Sequence, residues 1–108
     1  MSAFKLLPKA KHQLLKIWQY SYENWGEKQA DAYLKNINIM IETICENPQK
    51  GMIFSPLADN SVRYILTQKH YLFYAEKVGY VLILAILYSK MELSAKVVDL
   101  LKDTSTLK

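Results

Sequence analysis

From Ala10 onward, apolar and small residues return at helical spacing, at Ala10, Leu14, Ile17, Trp18, Ser21 and Trp25. Lys9, Lys11, Lys16, Gln19 and Glu23 occupy the opposite side. The pattern predicts an amphipathic helix starting near Pro8, because a first helical turn has no use for the N–H that proline lacks. Gly26 supplies a left-handed stop, and a second stripe begins at once with Ala30, Tyr33, Ile37, Met40, Ile41 and Ile44. Asn47-Pro48 ends it, since the residue before a proline is pushed out of the helical region. The spacing therefore predicts a helical hairpin with almost no loop.

Beyond the hairpin the period changes from helical to alternating. Three β-rich runs follow, Val62 to Thr67, His70 to Lys77 and Tyr80 to Tyr88. The connector before them, Gly51 to Ser61, mixes turn formers with Met52, Ile53, Phe54 and Leu57, which predicts a loop packed onto the domain. Lys77-Val78-Gly79 is a short link with a glycine free to take positive φ, so the last two runs should be antiparallel neighbours. Ala3 to Leu7 is short and apolar enough for an edge strand.

Tyr80 to Tyr88 is apolar on both alternating faces, as a central strand covered on both sides would be. The helical hairpin covers one face. Leu93, Val97, Leu100 and Leu101 form a stripe for a short C-terminal helix, with Ser94 able to cap it. That segment or a partner protein would cover the other face, and function is expected there. The fold class is thus α+β in the order β-α-α-β-β-β, a helical hairpin on a small, mainly antiparallel sheet. Residues 1–102 read as one domain and residues 103–108 as a flexible tail.

With 108 residues the chain can hold one core and one active surface. Thirteen of its fourteen cationic side chains are Lys, Arg63 is the only Arg, and the net charge of +4 favours an acidic partner. Cys45 is the only cysteine, which excludes an intrachain disulfide and fits a reducing cytoplasm. The longest apolar run is about half of what a membrane helix needs, so no membrane association is expected.

Little in the chain points to catalysis. His12 and His70 lie on different elements without a carboxylate cluster at ligand spacing, so no metal or other cofactor is expected. Cys45 falls on the apolar stripe of the second helix and reads as a small buried hydrophobe. The three glycines are each explained by a cap or turn and build no phosphate loop. Trp18, Tyr20, Tyr22, Trp25 and Tyr33 read mainly as packing residues, Trp18 in the core, with Tyr20 or Tyr22 as the exposed exception. What remains is a set of cations and aromatics on the sheet, Arg63, Lys69, His70, Tyr74, Tyr88 and Lys90, suited to holding RNA or a protein surface.

Four segments carry a resemblance across nearly the whole domain: LLPKAKHQLLKIWQYSYENWGEKQADAYLKNI, ENPQKG, VRYILTQKHYLFYAEK and VLILAILYSKMEL. They resemble the ParE branch of the ParE/RelE toxins of bacterial toxin–antitoxin operons. The resemblance implies a β-α-α-β-β-β fold, a cognate antitoxin that is acidic and partly disordered, and a target that is DNA gyrase for ParE-like toxins. RelE-like relatives instead cleave messenger RNA on the ribosome, which would put His70, Arg63 and Tyr88 in a catalytic site. Ala85 and Tyr88 stand where many family members carry Arg and His, a departure that argues against phosphodiester chemistry. The leading expectation is therefore a gyrase-directed toxin with no catalytic residue, its target-binding surface formed by Arg63, Lys69, His70, Tyr74, Tyr88, Lys90 and Met91. A ribosome-dependent endoribonuclease and a detoxified antitoxin-binding module are the alternatives, and direct nucleic-acid binding stays open.

Overall fold

The computed structural model describes residues 3–54, 61–90 and 101. Strand β1, Phe4–Leu6, leads into helix α1, Pro8–Trp25, and helix α2, Glu27–Glu46. A 3-10 turn at Pro48–Lys50 follows, then strands β2, Met52–Ile53, β3, Val62–Thr67, β4, His70–Lys77, and β5, Tyr80–Tyr88. Pro8 sits at the first helical position of α1, as its missing N–H requires. Gly26 alone separates the helices at φ 89°, a value that side chains with a Cβ rarely adopt. Its N–H donates to the Tyr22 carbonyl at 2.9 Å, and its own carbonyl accepts from the Ala30 N–H at 3.1 Å.

The sheet runs β1-β5-β4-β3-β2, with β1 parallel to β5 and every other pair antiparallel. The three long strands and the hairpin match the sequence reading, and β5 is internal as its two apolar faces demand. Strand β2 is the addition: the connector does not merely pack down but pairs Met52 with Tyr64 and Ile53 with Arg63. Only Phe54 of its described apolar residues is buried, while Met52 and Ile53 stay exposed at the sheet's edge.

Side chains divide between two clusters, one on each face of the sheet. Against the helices, Ile17, Ile37, Ile41 and Ile44 meet Leu72, Tyr74, Ile83 and Ile86. On the opposite face Phe54, Val62, Phe73, Leu84 and Leu87 gather with Leu101. Each fully buried branched side chain contributes about 1.5–3 kcal/mol relative to leaving it in water. Leu101 is helical and buried, so the C-terminal stripe reaches the second face at that residue. Leu93, Val97 and Leu100, like Leu57 and the 103–108 segment, lie outside the described residues.

Cys45 is buried, as its stripe position predicts; burial pushes its thiol up from the usual range, with the Glu42 carboxylate adding to the effect. The register of β4 against β5 slips once, between Phe73 and Tyr74, so that Leu84 is an extra residue with no partner opposite it. Before the slip Val81 and Ile83 face the helices; after it Ile86 does, and Tyr88 shares the side of His70, its partner.

Candidate functional site

At the tip of the helical hairpin the stripe of α1 loses most of its cover, and Trp25 meets the Tyr20 ring edge-on at 5.8 Å. Ile17 and Ser21 are still buried there, but Trp25 keeps 59 % and Tyr20 61 % of its surface exposed. Trp25 is thus not the core residue its spacing predicts, and Tyr20 and Tyr22 are both exposed rather than one of them. Trp18 is half-buried, stacked on Tyr22 at 5.1 Å, with its indole N–H donating to Asp31 at 3.0 Å.

Tyr20 and Trp25 form one wall of an open groove of about 1010 Å³. Helix α1 contributes Lys16, Ile17, Tyr20, Ser21 and Trp25, and α2 contributes Gln29 and Tyr33. The β3–β4 turn supplies Gln68 and Lys69, and the strand ends supply His70 and Tyr88. The groove lies on the helical side of the sheet at its end, whereas the sequence reading looked for function on the opposite side. The second face is filled by its own apolar cluster.

Four hydrogen bonds tie the β3–β4 turn to α2. The Gln68 side chain donates to the Tyr33 carbonyl at 2.9 Å and accepts from Asn36 at 3.2 Å. The Lys69 N–H donates to the Tyr33 hydroxyl at 3.1 Å, and that hydroxyl meets His70 Nδ1 at 2.7 Å. This clamp holds Gln68 at φ 58°, an uncommon value for a residue with a Cβ. The Ser89 N–H donates to the Lys69 carbonyl at 2.9 Å, which draws the turn carrying exposed Lys90 alongside. Burial pushes the His70 imidazole below its ordinary value and raises the Tyr33 phenol, the Lys69 bond partly opposing the latter.

The structure therefore brings together Lys69, His70 and Tyr88, with Lys90 beside them, and separates the other candidates. Tyr74 is fully buried at 0 % exposure and cannot meet a target. Its hydroxyl accepts from the Gly51 N–H at 2.8 Å and donates to the Pro48 carbonyl at 2.7 Å. Burial raises its phenol accordingly. Arg63 donates from Nη1 to the Gly51 carbonyl at 2.7 Å and to that of Gln49 at 3.4 Å, which anchors its side chain at the start of the connector. Along β3 it is four positions from Thr67, which pairs with His70, or roughly 13 Å at the rise of a strand. Met91 lies outside the described residues. His12 is on the solvated side of α1 and reaches no other candidate.

Sequence reasoning missed Tyr33 as the organiser of this site, because Tyr33 falls on a core stripe and its hydroxyl partner comes from a turn 36 residues later. It also missed Tyr20, Trp25 and Lys16 as groove walls. The available signal was the position of Trp25 beside the helix-ending Gly26, where a stripe has outrun its partner surface.

Comparison with known proteins bears on this geometry. The family model of the ParE toxin of type II toxin-antitoxin system, parDE, matches residues 4–93. Toxin ParE1 of Caulobacter vibrioides is 39% identical over 51 residues, 47% of this chain and 53% of that protein, so the chain spans about half the length of this relative. Toxin ParE1 of Mycobacterium tuberculosis is 32% identical over 73 residues, 68% of this chain and 74% of that protein. A solved structure described as the chromosomal ParDE TA system from P. aeruginosa shares the fold, with a TM-score of 0.69 at 19% identity over 83% of this chain and 98% of that one. The matched residues span β1 through β5 and every groove-forming element, and the chain belongs to the ParE toxin family of type II toxin–antitoxin systems.

Proposed function

We propose that this chain is a toxin that binds DNA gyrase, biases it toward its DNA-cleaved intermediate, and is silenced by a cognate antitoxin. It acts in the cytoplasm by occupancy and carries out no bond-breaking step of its own. The observation that supports binding over cleavage is the commitment of the polar side chains. A ribonuclease needs a proton shuttle and a cation around one phosphate. Here Nη1 of Arg63 is held by backbone carbonyls, and the strand rise puts that residue roughly 13 Å from the His70 position. Lys69, His70, Tyr88 and Lys90 form the target-facing surface, with Trp25 and Tyr20 as apolar anchors.

The antitoxin is acidic and partly disordered, with an amphipathic helix that folds as it binds and matches the +4 charge of the toxin. The test is a supercoiling assay with purified gyrase, scored also for cleaved complex and run beside ribosome-dependent mRNA cleavage. Loss of supercoiling with accumulated cleaved DNA is expected. Cleavage of mRNA with gyrase untouched would overturn the reading.

A further inference from the structure

Which way the hydrogen bond between Tyr33 and His70 points decides what His70 shows to the groove. The Tyr33 oxygen already accepts from the Lys69 N–H. A tyrosine hydroxyl has one hydrogen to give, and among the described residues its acceptor is His70 Nδ1 at 2.7 Å. Giving that hydrogen to Nδ1 makes Nδ1 the acceptor and leaves the proton of the neutral ring on Nε2. The reverse arrangement would have Nδ1–H donate to Tyr33 and leave the tyrosine hydrogen with no partner there.

Among the described residues no buried side-chain nitrogen or oxygen lacks a partner; Nε2 has no partner there and so keeps contact with solvent, on a side chain that lines the groove. Burial, which disfavours the charged ring, keeps it neutral near neutral pH. Around this donor stand two cations, Lys16 and Lys69, and the rings of Tyr20, Trp25 and Tyr88. No Asp or Glu is among the described residues lining the groove. The combination is complementary to a carboxylate held next to an apolar side chain.

We propose that Tyr33 is a positioning residue that locks His70 as a neutral Nε2–H donor, and that the groove thereby docks an acidic peptide segment of the antitoxin. The segment places a carboxylate on Nε2–H and an apolar side chain against Trp25, Tyr20 and Tyr88. This deepens the toxin reading and rests on it, because only a toxin has an antitoxin to dock. It also removes Nε2 as a proton acceptor or metal ligand, since that nitrogen's lone pair is in the aromatic ring system whenever it carries the proton.

The test uses the full chain labelled with 15N, long-range imidazole spectra near neutral pH, and as probes the antitoxin encoded beside the toxin gene and a short oligo-dT. The expected spectrum is that of a neutral ring with the proton on Nε2 and a hydrogen-bonded Nδ1, mixed or shifted in Tyr33→Phe. The antitoxin should move the His70 Nε2 signal and quench or shift Trp25 emission. His70→Gln, which keeps an N–H at the same reach, should hold affinity within about threefold, while Tyr33→Phe and His70→Asn should lose about tenfold or more.

Melting curves establish that each variant folds, and His70→Gln against His70→Asn carries the test if Tyr33→Phe does not. A proton on Nδ1, a charged ring, or an antitoxin that binds without moving either signal would overturn the proposal. So would oligo-dT binding the groove in place of the antitoxin. A chain that spares gyrase yet shows the Nε2–H signal and its response to antitoxin still supports the docking, so the two readings fail separately.

Discussion

Replacing Tyr74 by Phe removes one oxygen atom and disconnects two backbone groups. The hydroxyl satisfies the Gly51 N–H at 2.8 Å and the Pro48 carbonyl at 2.7 Å, in a place where Gly51 and the tyrosine ring are both buried. A net hydrogen bond contributes about 0.5–1.5 kcal/mol, and a buried group left without a partner costs about 1–3 kcal/mol. The aromatic ring stays, so the cavity term is small, and the loss should total about 2–4 kcal/mol. For a domain of this size that lowers the melting temperature by roughly 10–20 °C. Urea unfolding measures it directly. A change below about 0.5 kcal/mol, the scatter of neutral surface substitutions, would show that water replaces the hydroxyl and refute the argument. A second substitution sharpens it: a Cβ at Gly51 would meet the Tyr74 hydroxyl at 2.5 Å, so Gly51→Ala should cost less beside Tyr74→Phe than alone.

Three further outcomes are expected. His70 titrates below its ordinary value of about 6.5 in the folded chain, so the unfolded chain binds more protons just below that pH. Its contribution to stability is therefore full above about pH 6.5 and lost as pH falls through the folded value; His70→Gln should flatten that part of the pH–stability curve, and an unchanged curve would contradict the burial. Trp18→Ala should cost about 1–2 kcal/mol in a denaturation curve, less than the core figure of about 3–5, because the ring is half-buried and its N–H bond is exposed. Arg63→Ala should cost about 1–2 kcal/mol through its carbonyl bonds and leave inhibition of gyrase supercoiling nearly unchanged, the reverse of what a target-facing arginine would do.

The elements were legible because each has a local cause. Pro8, Gly26 and Asn47-Pro48 mark helix ends by backbone restriction, and the alternating runs from Val62 to Tyr88 mark strands by side-chain period. Strand β2 was not legible, since two exposed residues, Met52 and Ile53, have no period to read. Of the candidate site residues, Lys69, His70 and Tyr88 line one groove, and they were legible as non-core because cations and rings at strand ends cannot all be buried. Tyr74 and Arg63 lie away from that groove for the same reason in reverse: a polar group in a strand looks free until the backbone it satisfies is seen. The Gly51 and Pro48 partners lie 23 and 26 residues away in sequence, a separation no local pattern carries.

The unpaired Leu84 of β5 has an effect best stated as a reading frame. In a strand the side-chain code has two letters, up and down, and one inserted residue shifts every later letter. The first half of β5, Val81 to Ile83, is held in frame by β1 on its other edge. The second half is read one letter on, and this shift sends Tyr88 toward the groove instead of the filled face. Were Leu84 paired and the alternation unbroken, the strand's last four residues would exchange faces; the bulge absorbs the extra residue and keeps Ile86 and Tyr88 on the helical side. The chemistry of the site is thus addressed by a count of residues as much as by their identities.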